Sequence, residues 1–315
     1  MEQKILAIAG AKQAGKNTLA NWLHGKQMMD NGIVSNFFIT EGGELIVEGL
    51  NVFDGEKEDK KTVKLDVCQN SDYKFALWAS DVMWPFVKNY SFAEALKEIA
   101  IDLFECPRKL VYGNDDDKNT VMEHLLWENM PGIITKETFE RESGNILCDW
   151  FPEDNEWGNH DMQDSLSRIG LQYHESGPMT VRQFLQFLGT DVMRRMYGPI
   201  WVNRCLKDLL TENCEIAVIS DCRFDNEIEA VTEKGGKVIG LTRRPFSEDG
   251  HASEGMFDLS KCSDVIDNEN MTIEESCMAL FKLLVEWGWL KKKEVKQTRK
   301  SGVMSIREDK ESKNV

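Results

Sequence analysis

The sequence predicts an α/β protein: a three-layer fold with a mostly parallel central sheet, helices on both faces, and an inserted hairpin and lid-like region. Three observations carry this. Short β-rich apolar runs alternate with stretches of helical spacing, as in "ILAIA" followed by a helix opening over Asn17–Gly25, and "EIAVISD" followed by "NEIEAVTEKGG". The run "EIAVISD" is apolar without a clean alternation, the mark of a strand buried on both faces. At 315 residues and 41% hydrophobic content, the chain is long enough to bury a substantial core.

Taken in order, Ile5–Ala9 predicts the first strand and Asn17–Gly25 the first helix, with Leu19, Ala20, Trp22 and Leu23 as its apolar positions. "NFFITEGGELIVEGLNVFDG" pairs two β-rich runs around Gly42-Gly43, which predicts a hairpin. The hairpin, the charged patch "GEKEDKKTVK" and the aromatic segment ending in "WPFVKNY" together read as an insertion over 30–90. "SFAEALKEIAIDLFE" returns to helical spacing, with Ser91 and Glu94 in capping-box positions. Residues 113–178 are polar and broken by Gly and Pro, which suits a lid-like segment over a cleft. "TVRQFLQFLGTDVMRRMYG" predicts an amphipathic helix, "WVNRCLKDLL" another, and "KVIGLTRRP" a strand leaving the core. One domain over 1–290 and a basic, flexible tail over 291–315 are therefore expected.

Charge and cysteine usage narrow the function classes. The formal net charge is −16, which argues against a broad or stable nucleic-acid interface. The last stretch, from Lys291, is the exception: nine Lys/Arg stand against four Asp/Glu, and few apolar residues favour a solvated end. An acidic body that binds phosphates must gather its cations in one cleft. The eight cysteines show no C-x-x-C pair, and with five histidines they make no zinc pattern. Scattered thiols suit a reducing cytosol, and no apolar run approaches the roughly eighteen residues of a membrane span. A start that goes straight into a strand, without a charged leader, adds to the expectation of a cytoplasmic protein.

The chemistry begins in "GAKQAGKNT". Gly10-x-x-x-x-Gly15-Lys16 fits the phosphate-binding pattern G-x-x-x-x-G-K-[ST] up to its last position, and it lies between a strand and a helix, where such a loop must be. Glycines permit positive φ, so backbone N–H groups can turn inward around phosphate oxygens. The following helix adds its N-terminal dipole, and Lys16 can reach the β- and γ-phosphates. Asn17 occupies the Ser/Thr slot and Thr18 follows, so either oxygen is a candidate for magnesium. A second anchor is "EIAVISDCR", which brings Asp221 and Arg223 to the end of a buried strand, where ligands bind in parallel sheets.

Six motifs in this order, "GAKQAGKNT", "YSFAEALKE", "YGNDDDKN…WENMPG", "TVRQFLQFLGTDVMR…WV", "SDCRFDNEIEAV" and "HASEG…VIDN", make the chain resemble the deoxynucleoside monophosphate kinases of tailed bacteriophages, in the P-loop kinase superfamily. The likeness covers the loop and most of 88–280. Residues 30–88 resemble only longer members, and the tail carries no likeness. The resemblance implies an ATP- and Mg2+-dependent phosphotransferase that converts deoxynucleoside monophosphates to diphosphates for DNA precursor synthesis, in the cytoplasm of an infected host. It also implies roles for residues. Gly10, Lys12, Ala14, Gly15, Lys16, Asn17 and Thr18 hold ATP, with Asn17, Thr18 and Asp221 toward the metal. Lys97, Arg182, Trp201, Asp225 and Glu227 serve the acceptor nucleotide, and Gln13 stands where some members place an arginine that touches it. Lys16, Arg182, Asp221 and Arg223 form the catalytic set, while Arg194-Arg195 and His251 are weaker lid and loop candidates.

Each of these residues also has a plain structural reading: Lys97 a solvated helix lysine, Trp201 a core residue, Asp221 and Arg223 an ion pair. The loop alone leaves a nucleotide-driven switch, a non-catalytic scaffold and a kinase for another small phosphate acceptor open. Homodimerisation is open as well.

Overall fold

The run "KILAIA" forms strand β1 (Lys4–Ala9), buried from Ile5 onward, at the centre of a five-stranded sheet in this computed structural model. The structure describes residues 3–49, 62–67, 73–135, 166, 170–244, 257–291, 296–297 and 306–307. They divide into two compact units, Met1–Ala95 with Pro199–Val315, and Leu96–Gly198.

In the first unit, β1 is flanked by β10 (Ile216–Cys222) and β11 (Lys237–Leu241), with β5 (Val87–Tyr90) beyond β10 and β12 (Asp264–Ile266) beyond β11. All four pairings are parallel, in registers such as Leu6↔Val218 and Ile8↔Ile239. After β1 the next strand of this sheet is β5 at one edge, whereas after β11 it is β12 at the other. The chain thus departs in opposite directions from neighbouring strands, and their carboxyl ends form a topological switch point. One correction follows: the 30–90 segment is not wholly an insertion, because its last run, Val87–Tyr90, is a strand of the central sheet.

Helix α1 (Lys16–Asp30) is buried around most of its circumference. It packs against β10, against the antiparallel strands β2 (Asn36–Ile39) and β3 (Leu45–Glu48), and against the helix Ile273–Glu286. Trp22 is its anchor, edge-on to Phe37 of β2 and to Phe281, with ring centroids 6.4 and 6.0 Å away. The hairpin approaches so closely that a Cβ at Gly25 would lie 2.3 Å from the Phe37 ring. The strands β2, β3 and β4 (Thr62–Leu65) form the expected hairpin and its extension, with Phe37, Ile39, Leu45, Val47 and Leu65 in the core. Short strands β13 (Lys296–Gln297) and β14 (Ile306–Arg307) pair with each other, and β14 pairs with β2 at Ile306↔Phe37. Part of the basic tail is therefore built into this sheet; nearly all of the remainder lies outside the described residues, as does most of the charged patch.

Helix α2 (Tyr73–Val82) precedes β5, and α3 (Glu94–Phe104) follows it. Helices α7 (Ile200–Glu212) and α8 (Asp225–Glu233) pack together, α8 lying on β1 and β11, while α9 (Ile273–Glu286) packs with α1. The parallel strands are covered on both faces, as their continuous apolar character requires. Gly235, at φ 76, follows the end of α8 and turns the chain out of it.

The second unit contains the rest of α3, then α4 (Arg108–Tyr112), α5 (Asp115–Lys118), the antiparallel pair β6 (Val121–Leu126) and β9 (Pro178–Thr180), and the parallel pair β7 (Ile133–Ile134) and β8 (Gln172–Tyr173). Trp127 stacks on His174 at 3.7 Å between ring centroids and meets Phe187 edge-on. Helix α6 (Val181–Gln186) starts in a full capping box, with Thr180 and Gln183 bonded reciprocally. The single helix expected from "TVRQFLQFLGTDVMRRMYG" is not uniform. It widens into a π-helix over Phe187–Arg194, where Gly189 lies so near Leu96 that a Cβ would come within 2.6 Å. Much of the lid-like segment, 136–165 and 167–169, is outside the described residues.

One buried group of α1 makes the fold sensitive to acid. His24 is fully buried, and its Nδ1 bonds to the Ala20 carbonyl at 2.8 Å, while Nε2 has no hydrogen-bond partner among the described residues. Burial lowers its pKa from 6.5 to about 4. The native state holds the imidazole neutral while the unfolded chain takes up a proton, so this contribution is intact above pH 6.5 and is lost as pH falls toward 4. In urea titrations, lowering the pH from 7 to 5 should remove about 2 kcal/mol through this group. The His24→Gln variant should show a shallower pH dependence across that window; an unchanged slope would exclude the assignment.

Candidate functional site

The loop after β1 is tightly wound. Gly15 adopts φ 100 and Gln13 φ 57, so the chain twice enters the left-handed region between Gly10 and the start of α1. Gly10 has no room for a larger residue without a shift: a Cβ would meet those of Ala14 and Leu241 at 3.2 Å. Lys16 is 7% exposed, and its amine donates to the carbonyls of Gly10 at 2.7 Å and Ala11 at 2.6 Å. The cation thus lies folded back across the loop. Gln13 and Asn17 are exposed, and Lys12 and Thr18 half-buried. The hairpin turn reaches this region. A Cβ at Gly43 would come within 2.3 Å of Thr18 Oγ1, and Asn21 donates to the Gly43 carbonyl at 2.9 Å.

At the end of β10, the carboxylates act mainly on their own backbone. Asp221 accepts from Ser91 Oγ at 2.5 Å, from the Phe92 N–H at 2.9 Å and from the Ala93 N–H at 3.1 Å. Ser91 Oγ in turn accepts from the Ala93 N–H at 3.1 Å, whereas the Glu94 N–H, which the expected capping box would bring to this hydroxyl, goes to the Ser91 carbonyl at 3.2 Å. The 91–93 segment is thereby fixed to the carboxyl end of the sheet. Glu227, 1% exposed, accepts from the N–H groups of Arg223 at 2.8 Å and Phe224 at 3.1 Å, which sets the backbone that carries Arg223. Asp225 receives Lys261 at 2.7 Å and the Asp258 N–H at 2.8 Å; these bonds, the lysine first, hold its carboxyl below the usual carboxylate range. Trp201 is only 4% exposed at the head of α7, a core position. Burial, with the Asp221 and Glu227 charges nearby, pushes the Cys205 and Cys222 thiols well above their ordinary pKa.

The remaining candidates belong to the second unit. Lys97 lies 4.6 Å from the centroid of the Tyr112 ring, in cation–π contact. Tyr112 in turn donates to Glu98 at 2.6 Å, and Glu98 takes both arms of Arg108. Arg182 extends from the first turn of α6 to Asp115 at 2.6 Å and Asn119 at 3.0 Å. Arg194 is half-buried within the π-helix; Arg195 is exposed beside Gly170. His251 lies outside the described residues.

The description of the deoxynucleotide monophosphate kinase family matches residues 60–277. The chain belongs to this family. The match starts after the loop at 10–16, so family membership and loop geometry are separate observations. A protein of Acanthamoeba polyphaga mimivirus, provisionally named a deoxynucleotide monophosphate kinase, is 34% identical over 109 residues. That alignment takes in 30% of this chain and 56% of the viral protein, so the chain spans about half the length of the curated relative it matches.

Two residues at the site escaped the sequence reading. Asn268, 2% exposed, donates from Nδ2 to the Ala14 carbonyl at 2.8 Å. Ser91 holds Asp221. Asn268 closes the motif "VIDN", at the carboxyl end of β12, but nothing in a linear pattern says that it reaches back to the loop; only its position beyond a β-rich run at the sheet's ligand end was a signal. Because Asp221 satisfies two backbone donors, its removal should be felt first in stability. Asp221→Ala is expected to lower unfolding free energy by about 2–4 kcal/mol and to speed amide hydrogen exchange at Phe92 and Ala93. Unchanged exchange there would show that the carboxylate does not hold the segment.

Proposed function

We propose that the chain transfers the γ-phosphoryl group of ATP to a deoxynucleoside monophosphate, giving ADP and a deoxynucleoside diphosphate. The observation that carries the reading is the cradle itself: a buried lysine and a left-handed glycine in the loop that leaves the central strand, at the switch point, in a chain of this family. Gly10, Lys12, Ala14, Gly15 and Lys16 serve the donor phosphates in this reading. Lys16 exchanges its two loop carbonyls for phosphate oxygens, a stronger charge-assisted pairing than the one it leaves.

A divalent cation fits the donor set. The first turn of α1 offers the Asn17 carboxamide oxygen and the Thr18 hydroxyl, and magnesium characteristically takes few protein oxygens beside substrate phosphates and water. When bound, Mg2+ would offset the negative charge of the donor phosphates. Asp221, with three donors from 91–93, fits best as a positioning group in this reading.

The acceptor oxygen is already anionic, so no strong general base is required; the residues position the reactants and neutralise charge. Arg182 and Lys97 are the proposed acceptor contacts, and Arg223 the cation for the transferring group. Arg182 is held by a partly exposed carboxylate in Asp115, a pairing worth about 0–1 kcal/mol, so a dianionic phosphate can displace it. Trp201 and Glu227 are buried, which supports a role in shaping the site rather than touching the nucleotide; Asp225 and Gln13 remain at its rim in this reading.

The test is an ADP-release assay with ATP and Mg2+, first without acceptor and then with dGMP, dTMP, dCMP, dAMP and GMP in turn. Turnover confined to particular deoxynucleoside monophosphates is the expected result, and release indifferent to the acceptor would overturn it. Lys16→Ala should abolish transfer, at least a 100-fold loss of kcat on the scale of about 3 kcal/mol for one preorganised charge contact. Arg182→Ala should raise KM for the monophosphate by about tenfold or more with little change in KM for ATP. Equal effects on both substrates would remove Arg182 from the acceptor role.

A further inference from the structure

The loop is held from behind by a clamp of two residues that follow later strands, and we infer that Asn268 is a positioning residue that sets the direction of the Gly15 N–H toward the donor phosphates. The inference rests on the reading of the loop as a donor-phosphate cradle. Asn268 uses both ends of its side chain. Nδ2 donates to the Ala14 carbonyl at 2.8 Å, and Oδ1 accepts from the Arg243 backbone N–H at 3.0 Å. The Arg243 guanidinium closes the ring, donating from Nε to the Asn268 carbonyl at 3.1 Å and from its terminal nitrogen to the Met271 carbonyl at 2.5 Å. Thr242 Oγ1 donates to Asp267 at 2.6 Å beside it. The segments after β11 and β12 are thereby joined to one another and to the loop.

The consequence for the loop follows from peptide geometry. The 14–15 peptide is planar and trans, so its C=O and N–H point in opposite directions. With the Ala14 carbonyl bonded to Asn268, the Gly15 N–H is directed away from Asn268. The flanking peptides are held by the Ala14 N–H to the Ala11 carbonyl at 3.2 Å and by the Leu19 N–H to the Gly15 carbonyl at 3.1 Å, and Asn268 is the partner of the plane between them. Gly15 lies at φ 100 and has no side chain, so rotation of the plane meets a small barrier from its own residue. A rotated plane would turn the Ala14 carbonyl to the side where an anion binds, replacing a donor with a repelling dipole. Lys16 fixes the Gly10 and Ala11 carbonyls, and Asn268 fixes that of Ala14; between them the two residues orient the acceptor atoms of three loop peptides. Burial at 2% keeps water from competing for the Asn268 amide.

The experiment measures binding, not turnover. Calorimetric titrations with inorganic tripolyphosphate, and with ATP and Mg2+, are run on the parent protein and on Asn268→Ala, Asn268→Asp and Arg243→Met. Asn268→Asp keeps an acceptor for the Arg243 N–H and puts a carboxylate oxygen against the Ala14 carbonyl. It is expected to weaken both probes by about tenfold or more, Asn268→Ala by about tenfold, and Arg243→Met, which loosens the clamp from its outer end, by about threefold. In the folded variants, KM for the monophosphate should stay within twofold of the parent, a split that general loss of stability would not produce. Faster amide exchange at Gly15 in the Asn268 variants is the accompanying signature. Tripolyphosphate binding within twofold of the parent in every folded variant overturns the inference while leaving the cradle intact. Failure of the parent to bind either probe overturns the cradle reading itself, and the inference with it.

Discussion

The parallel pairing of β1 between β10 and β11 is the constraint on which the rest depends. Parallel register brings the carboxyl ends of these strands to one side, and with them the loop at 10–16, the Asp221–Arg223 stretch and the Thr242–Arg243 segment. Residues far apart in sequence become neighbours for that reason alone: Ala14 and Asn268 are hydrogen-bonded across a separation of 254 positions. A sheet of this kind has to be covered on both faces, and the complete burial of Leu6, Ile8, Val218 and Ile239 is what holds the pairing in register.

How much of this the sequence discloses depends on the distance over which each feature is decided. Strands β1, β10 and β11 and helices α1, α7 and α8 are local patterns, an apolar run or a period of helical spacing, and were legible as such. The loop was legible because a strand, a glycine pattern and a helix are contiguous. Val87–Tyr90 was not, because "VKNY" carries no apolar run and becomes a strand only by pairing with β10. Nor was the π-helix, which comes with the close approach of Gly189 to Leu96 rather than with the helical period. The partners of the site residues were the least legible. That Asp221 would take Ser91 and two backbone N–H groups, or Asn268 the Ala14 carbonyl, depends on which chain ends the topology gathers.

The strongly acidic composition takes on a physical meaning at this end of the sheet. Asp221 and Glu227 have backbone N–H groups as partners, and Asp225 has Lys261 as well as a backbone N–H. Carboxylates engaged in this way stabilise turns and helix starts while their charge is partly offset by local dipoles. The loop proposed to hold phosphates can therefore coexist with acidic neighbours, the positive field there coming from Lys16 and the amino end of α1.

The hairpin meets α1 at two points, Phe37 against Gly25 and the Gly43 turn against Thr18 and Asn21. Both contacts are close enough that neither partner can enlarge alone. Residues 25 and 37, and likewise 18 and 43, therefore form pairs free to vary only together, and a family member lacking the hairpin is released from the need for glycine in the middle of its first helix. In such a chain an ordinary helix former at that position would strengthen α1, so the glycine is a record in the helix of the hairpin that lies over it.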